Sequence, residues 1–303
     1  MKTIYKNRNR FGNLFILLFF LACNNSIHID PIPYSEKISI QCLITPGQIP
    51  VLNLNRTVAF LGGTYTEKDL FISNAIAMIT TTGGDTFRFH TDSAFSPIKC
   101  RMEYFYKATK PVVANTAYHL RISVNGKLYE ASAHTNLLPV TPDSVNYIPA
   151  FKDLYGEHEG VLVHITDPPG KGQFYRYYMT RIINDTITDV FEVSSLCSIN
   201  QPTYVLELGR SVYSDAHLDG SSFTVAIEPA YKHKPDQVGY VRLQTVDENT
   251  FIFYDNLDRQ RIAAYNPFVE PVFLQPGQFG KEGIGVFGAY ALSEDSVEFT
   301  YPE

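Results

Sequence analysis

Tyr118-His-Leu-Arg-Ile-Ser-Val124-Asn-Gly126-Lys-Leu-Tyr-Glu-Ala-Ser-Ala133 decides the fold class. In its first seven residues Leu120, Ile122 and Val124 alternate with His119, Arg121 and Ser123, a period of two that turns one set to a core and the other to water. Asn125-Gly126 follows with two residues that tolerate positive φ, the chemistry of a tight hairpin turn, and Leu128 to Ala133 returns as the antiparallel partner. Working upstream, the same pattern recurs in Ile38 to Ile44, Leu52 to Phe60, Ala75 to Thr81 and Thr86 to His90, each of strand length. Gly83-Gly84 supplies a second hairpin turn between Thr82 and Asp85. Residues 37–140 are therefore expected to form an N-terminal immunoglobulin-like β-sandwich, and Pro139 and Pro142, which cannot donate to a central ladder, mark a linker at its end.

Downstream, residues 141–303 read as a second β-sheet module, sandwich or barrel-like. Its strands are expected at Val161 to Ile165, Phe174 to Ile183, Val190 to Val193, Thr203 to Leu208, Ser222 to Ile227, Tyr240 to Val246 and Ala289 to Phe299. Phe174, Tyr175, Tyr177, Tyr178 and Met179 load both faces of one strand, which places it centrally. One packed helix near 247–264 interrupts the strands: Asp247 or Asn249 caps it, and Phe251, Tyr254, Leu257 and Arg261 recur at helical spacing. Composition agrees with a mostly β reading. Of 303 residues, 45% are hydrophobic and 18% charged, enough for a sizeable core, with 19 Gly, 18 Pro, 20 Tyr and 21 Phe.

The amino terminus reads as an address. Lys2, Lys6, Arg8 and Arg10 precede the apolar run Leu14 to Leu21, which is too short to span a bilayer, and the stretch closes at Ala22-Cys23. Residues 1–22 are read as a signal peptide and 23–36 as a tether. Phe20-Leu-Ala-Cys23 resembles the lipobox of bacterial lipoproteins, with Phe20 in place of the usual Leu, so Cys23 is the expected lipidation site and the membrane an expected partner. Removing the four leader cations takes the formal charge from −6 to −10, which argues against nucleic acid as a partner. With Cys23 acylated, Cys42, Cys100 and Cys197 remain, an odd number that leaves a free thiol or an intermolecular pair. Cys42 is in phase with Ile38, Ile40 and Ile44 and reads as a core residue.

Candidate chemistry is sparse. Asp215-Ala-His217-Leu-Asp219-Gly220 echoes a calcium loop, but His217 stands at position three and Ala226 at position twelve, where a bidentate Glu is required, so a tight turn is the expectation. Glu157, His158, Glu159 and His164 are the densest set of metal-ligating side chains, without a third ligand at a recognised spacing. Gly280-Lys-Glu-Gly-Ile-Gly-Val-Phe-Gly-Ala-Tyr290 lacks the Lys-Ser or Lys-Thr of a phosphate loop. Its Gly285, Gly288 and Ala289 are expected to let a neighbouring element, such as the 247–264 helix, approach a sheet. Tyr175 to Tyr178 offer rings for sugar stacking or, more simply, for core packing. No nucleophile elbow, zinc-protease motif or dinucleotide fingerprint occurs. A Ser-His-Asp or paired-carboxylate constellation from distant strands stays open, because geometry and not order defines one. No catalytic, cofactor-binding or metal residue is assigned, and no cofactor is expected.

Ile38-Ser-Ile-Gln-Cys-Leu-Ile-Thr-Pro46, Asn74-Ala-Ile-Ala-Met78, Tyr118 to Val124 with Tyr129-Glu-Ala-Ser132, Asp219-Gly220, Asn266-Pro-Phe-Val-Glu-Pro271 and Gly283-Ile-Gly-Val-Phe-Gly-Ala-Tyr290 follow one another in an order that resembles a Bacteroidota lipoprotein family, domain of unknown function 4249. That resemblance implies an outer-membrane lipoprotein encoded beside TonB-dependent transporters, and it carries no catalytic residues. The chain is accordingly expected to be a lipid-anchored accessory or binding protein of the outer membrane, working with such a transporter in ligand capture or uptake, and not an enzyme. A cell-envelope hydrolase or metal-dependent enzyme with a dispersed site is the alternative. Cys23 is followed by Asn-Asn-Ser-Ile-His-Ile-Asp30 instead of an acidic cluster, which leaves both faces of the outer membrane open.

Overall fold

Alternation of apolar and polar side chains governs the architecture. A computed structural model describes residues 34–59, 63–153, 156–183, 203–207, 212–229, 237–264, 274 and 276–300. Along β6 (Ala117–Val124) Tyr118, Leu120, Ile122 and Val124 are buried, and in β7 (Lys127–His134) Tyr129, Ala131 and Ala133 are. Asn125 and Gly126 join them at φ 49° and 80°, as a two-residue hairpin with both central residues left-handed requires. Gly84, at φ 87°, turns the chain between β3 (Ile76–Thr81) and β4 (Thr86–Ser96).

With β3, β4, β6 and β7, the larger sheet contains β1 (Ile38–Ile44), β2 (Val51–Arg56), β5 (Arg101–Ala108), β10 (Phe174–Ile183), β11 (Thr203–Glu207), β12 (Val212–Ser214), β14 (Val238–Val246) and β15 (Gly283–Glu298). These 12 strands run in the order β11-β10-β14-β15-β1-β2-β5-β4-β3-β6-β7, with β12 also paired to β10. A second sheet has the order β13-β9-β8, formed by β8 (Ser144–Asp153), β9 (Gly156–Thr166) and β13 (Ser222–Ile227). The protein is mostly β, and among the described residues the helices are α1 (Glu67–Leu70) and α2 (Glu248–Ala264).

Two long strands change partners midway. β4 pairs with β3 through Thr86–Arg88 and with β5 through Phe89–Ser96. β15 runs parallel to β1 from Gly283 to Ala289, then antiparallel to β14 from Tyr290 to Glu298. From Glu36 on the chain forms one unit with two buried cores. The first gathers Ile40, Leu54, Ile79, Tyr118, Leu120 and Ile122 with Phe279, Phe287 and Ala289 from the carboxy-terminal segment. The second lies between the sheets, where Val161, Val163, Ile165 and Val225 meet Tyr175, Tyr177, Met179, Val241 and Phe299. Leu137 packs on the first core and Val140 on the second. Tyr118 also reaches back along the chain: its hydroxyl accepts from Val113 N–H at 2.7 Å, the arrangement of a tyrosine corner in sandwich folds.

The outer face of β10, β14 and β15 carries α2. Asp247 caps it, accepting from Thr250 N–H at 2.8 Å and from Ala289 N–H of β15 at 2.7 Å. A Cβ at Gly288 would collide with Thr250 Oγ1 and the Asp247 carboxylate, so the absence of a side chain there sets how closely the helix approaches the sheet. At Gly285, φ 140°, a Cβ would run into the Ile40 carbonyl of β1. These are the close approaches expected of the 280–290 segment. Cys42 is buried and free, whereas Cys100 is disulfide-bonded. Among the described residues no helix is long and apolar enough to cross a membrane. The leader 1–22, Cys23, Val190 to Val193, Cys197 and Asn266 to Pro271 lie outside the described residues.

Candidate functional site

The Asp215–Gly220 stretch works as a clasp. Leu218 N–H donates to the Asp215 carbonyl (2.8 Å) and Ser221 N–H to the Leu218 carbonyl (2.7 Å), which closes a tight turn with Gly220 at φ 68°. The facing loop, Asp167-Pro-Pro-Gly-Lys-Gly172, is pinned to it by three carboxylates. Gly172 N–H donates to Asp215 (2.8 Å), Gly170 N–H to Asp219 (2.8 Å) and Gly220 N–H to Asp167 (3.0 Å). Asp167 also accepts from the Tyr175 hydroxyl; burial first, then the Asp167 and Asp215 charges, push that phenol well above its usual range. Carboxylates used this way hold loops together. His217 stays exposed beside them.

Strand parity separates the 157–164 set. Glu159 shares the inward parity of Val161 and Val163 and accepts from the Tyr147 hydroxyl (2.9 Å). His164 lies on the opposite face, with Nδ1 2.7 Å from Thr224 Oγ1, and the side chain of His158 is outside the described residues. Among the described residues no three His, Cys, Asp or Glu side chains converge as metal ligands. Tyr175 and Tyr177 are core residues, while Phe174 and Tyr178 face the other way.

Cross-strand register assembles a polar set that the linear sequence hid. His119 faces Ser132 directly, and Glu130 lies diagonally across the same hairpin. His119 Nδ1 is 3.0 Å from Ser132 Oγ and its Nε2 is 3.4 Å from Glu130 Oε1, which also receives Arg121 Nε at 2.7 Å. Nucleophile, base and acid stand in relay order on an exposed sheet surface. β7 ends the sheet order, and at its outer edge the Ser132 carbonyl accepts from Gln278 Nε2 at 3.3 Å.

The more built arrangement lies beneath and beside α2. Every second residue of β10 faces the helix, so Phe174 stacks on Phe251 (centroids 4.8 Å apart) and Arg176 stacks on Tyr254, its Cζ 4.0 Å from the ring centroid. Arg176 Nη1 donates to Gln244 Oε1 of β14 at 3.0 Å, and Gln41 Nε2 of β1 donates to the Tyr254 hydroxyl. Outward from these lie Tyr178, whose ring centroid is 5.3 Å from the Arg176 Cζ and 6.0 Å from the Arg242 Cζ, and Tyr290 of β15. Arg242 is hydrogen-bonded to Glu294. Burial raises the Tyr290 phenol, Tyr178 adds to the rise, and Arg242 and Arg176 oppose it. Arg176, Tyr178, Arg242 and Tyr290 are half-buried. Sequence reading missed this set although its signal was present: Arg176 alternates in phase with Phe174 and Tyr178, and Gln244 with Arg242. On the other flank of α2, Asn249, Ile252, Phe253 and Asn256 line a shallow groove with Pro276, Gln278 and Ile284.

The family described as Domain of unknown function (DUF4249) matches residues 25–296. Among curated proteins, no sequence matches the chain. Among solved structures, the crystal structure of pullulanase from Anoxybacillus sp. LM18-11 aligns at a TM-score of 0.19 and 8% identity, over 69% of this chain and 24% of that one.

Proposed function

The chain belongs to the DUF4249 family, and from that premise we propose that it is a lipoprotein of a Bacteroidota outer membrane, anchored through Cys23, that captures a ligand beside a TonB-dependent transporter. Support for the anchor comes from Phe20-Leu-Ala-Cys23 after a basic and apolar leader. Support for binding comes from one observation above all: Arg176, Tyr178, Arg242 and Tyr290 present guanidinium and phenol groups from three adjacent strands on a half-open face braced by α2. Rigid strands hold such groups in place without ordering costs at the moment of capture. The anchor is tested by growing cells with an alkyne fatty acid. The wild-type chain should carry the label in the membrane fraction and Cys23→Ser should not; equal labelling of both would refute it.

Ser132, His119 and Glu130 are the observation that favours a second reading, a cell-envelope hydrolase. Turnover of an activated ester such as p-nitrophenyl acetate, abolished in Ser132→Ala, would support that reading. Equal background rates in the two proteins would remove it.

A further inference from the structure

The face beside α2 has a charge imbalance. Arg242 is neutralised by Glu294, and Asp258, the buried acid of α2 next along the helix face from Tyr254, lies 3.8 Å from Arg261. Among the described residues Arg176 has no carboxylate partner. It meets the neutral amide of Gln244 and the rings of Tyr254 and Tyr178, and its Nε is closed to solvent without an acceptor among the described residues. A guanidinium drawn partly out of water ordinarily has an anion beside it, and a buried donor left unsatisfied in a native fold calls for an explanation. Stacking on Tyr254 fixes the plane of the Arg176 fork, and Gln244 fixes its rotation, so the group is preorganised before any ligand arrives. Arg242 and the phenols of Tyr178 and Tyr290, all half-buried like Arg176, lie on the same face.

We propose that this is an oxyanion site, in which a phosphate or carboxylate group of the captured ligand seats against Arg176, with Arg242, Tyr178 and Tyr290 as further donors. The inference rests on the binding reading of the same face and supplies its ligand class. Planar guanidinium groups recognise both oxyanions through paired N–H donors, and the two sources are told apart by experiment. The full chain in non-ionic detergent is labelled with 15N at arginine, and the Nε–H resonances are followed while inorganic phosphate or acetate replaces chloride at constant ionic strength.

Arg176 and Arg242 signals should move along a saturable curve with at least one probe, while Arg101 of β5 and Arg121 of β6, which lie on other strands away from this face, stay still. The tighter probe names the group. Arg176→Gln should abolish saturation, and Tyr290→Phe should weaken it roughly tenfold, the contribution of one charge-assisted hydrogen bond. If Arg176→Gln fails to fold, the wild-type curve and Tyr290→Phe still decide. Shifts that are equal at all arginines, or linear in both probes, overturn the site. Because the titration needs neither acylation nor a transporter, saturable binding by a chain that proves unacylated would sink the anchor reading alone, and absence of saturation in an acylated chain would sink this site alone.

Discussion

Gly288→Ala should pull α2 off its sheet. The new methyl would occupy the space of Thr250 Oγ1 and press on both Asp247 oxygens. Nothing can yield cheaply there, because Thr250 is fully buried and Asp247 is tied to the backbones of both α2 and β15. Overpacking of this kind costs about 1–3 kcal/mol, and loosening the cap adds about 1 kcal/mol, which together give about 2–4 kcal/mol. Urea unfolding measures the loss directly, and a fall in Tm of roughly 5–10 °C should accompany it. Thr250→Ala removes the nearest colliding atom, so the double variant Gly288→Ala/Thr250→Ala should recover at least about 1 kcal/mol relative to additivity. A cost below about 0.5 kcal/mol for Gly288→Ala, or strict additivity in the double variant, would refute the view that Gly288 sets the helix-to-sheet distance.

Burial raises the Asp247 carboxyl above its usual range, against the hydrogen bonds from Thr250 and Ala289. The folded state therefore holds a proton that the unfolded chain has shed, so this group's contribution is most favourable in acid below the unfolded value of about 3.9. It declines as pH rises from there through the raised folded value. Urea midpoints of wild type minus Asp247→Asn should fall across that window, and a difference that rises would contradict the assignment. Tyr106→Phe should cost about 1–3 kcal/mol, because its hydroxyl donates to the Ile72 carbonyl (2.7 Å) and accepts from Ala75 N–H (3.0 Å) in a buried setting; an unchanged urea midpoint would count against that role. Burial pushes the Cys42 thiol far up, so iodoacetamide at pH 8 should modify it in urea and leave it intact in the native chain, as read by peptide mass spectrometry. Native labelling at the rate of an exposed thiol would show that β1 opens readily.

Much of the fold was legible because one-sided burial writes itself into a strand as alternation. β1, β3, β6 and β7 declared themselves this way, and Asn125-Gly126 announced its own turn. The α2 helix was legible from its cap and its aromatic spacing, and Gly288 from the need for close approach. Other elements were obscured for physical reasons. β8 contains Pro149 beside a register shift between Ile148 and Phe151, and proline demotes a strand reading. Tyr104-Phe105-Tyr106 puts aromatic rings on both faces of β5 and blurs its period. The parallel pairing of β1 with β15 joins ends of the chain that no local pattern relates. Site residues suffered most. Arg176, Gln244, Tyr254 and Tyr290 come from three strands and a helix and meet only through register, and in sequence each looks like an ordinary polar or aromatic position. His119, Ser132 and Glu130 were hidden in the same way.

Native purification would decide whether this chain is a membrane-anchored partner of a transporter, as proposed. Outer membranes from cells expressing the tagged chain at its natural level would be solubilised gently and the acylated protein recovered with whatever accompanies it. A fatty-acylated Cys23 and a β-barrel transporter in near-stoichiometric yield are the expected result. Reproducible recovery of the chain alone from intact outer membranes, or of an unacylated chain from the soluble periplasm, would contradict it.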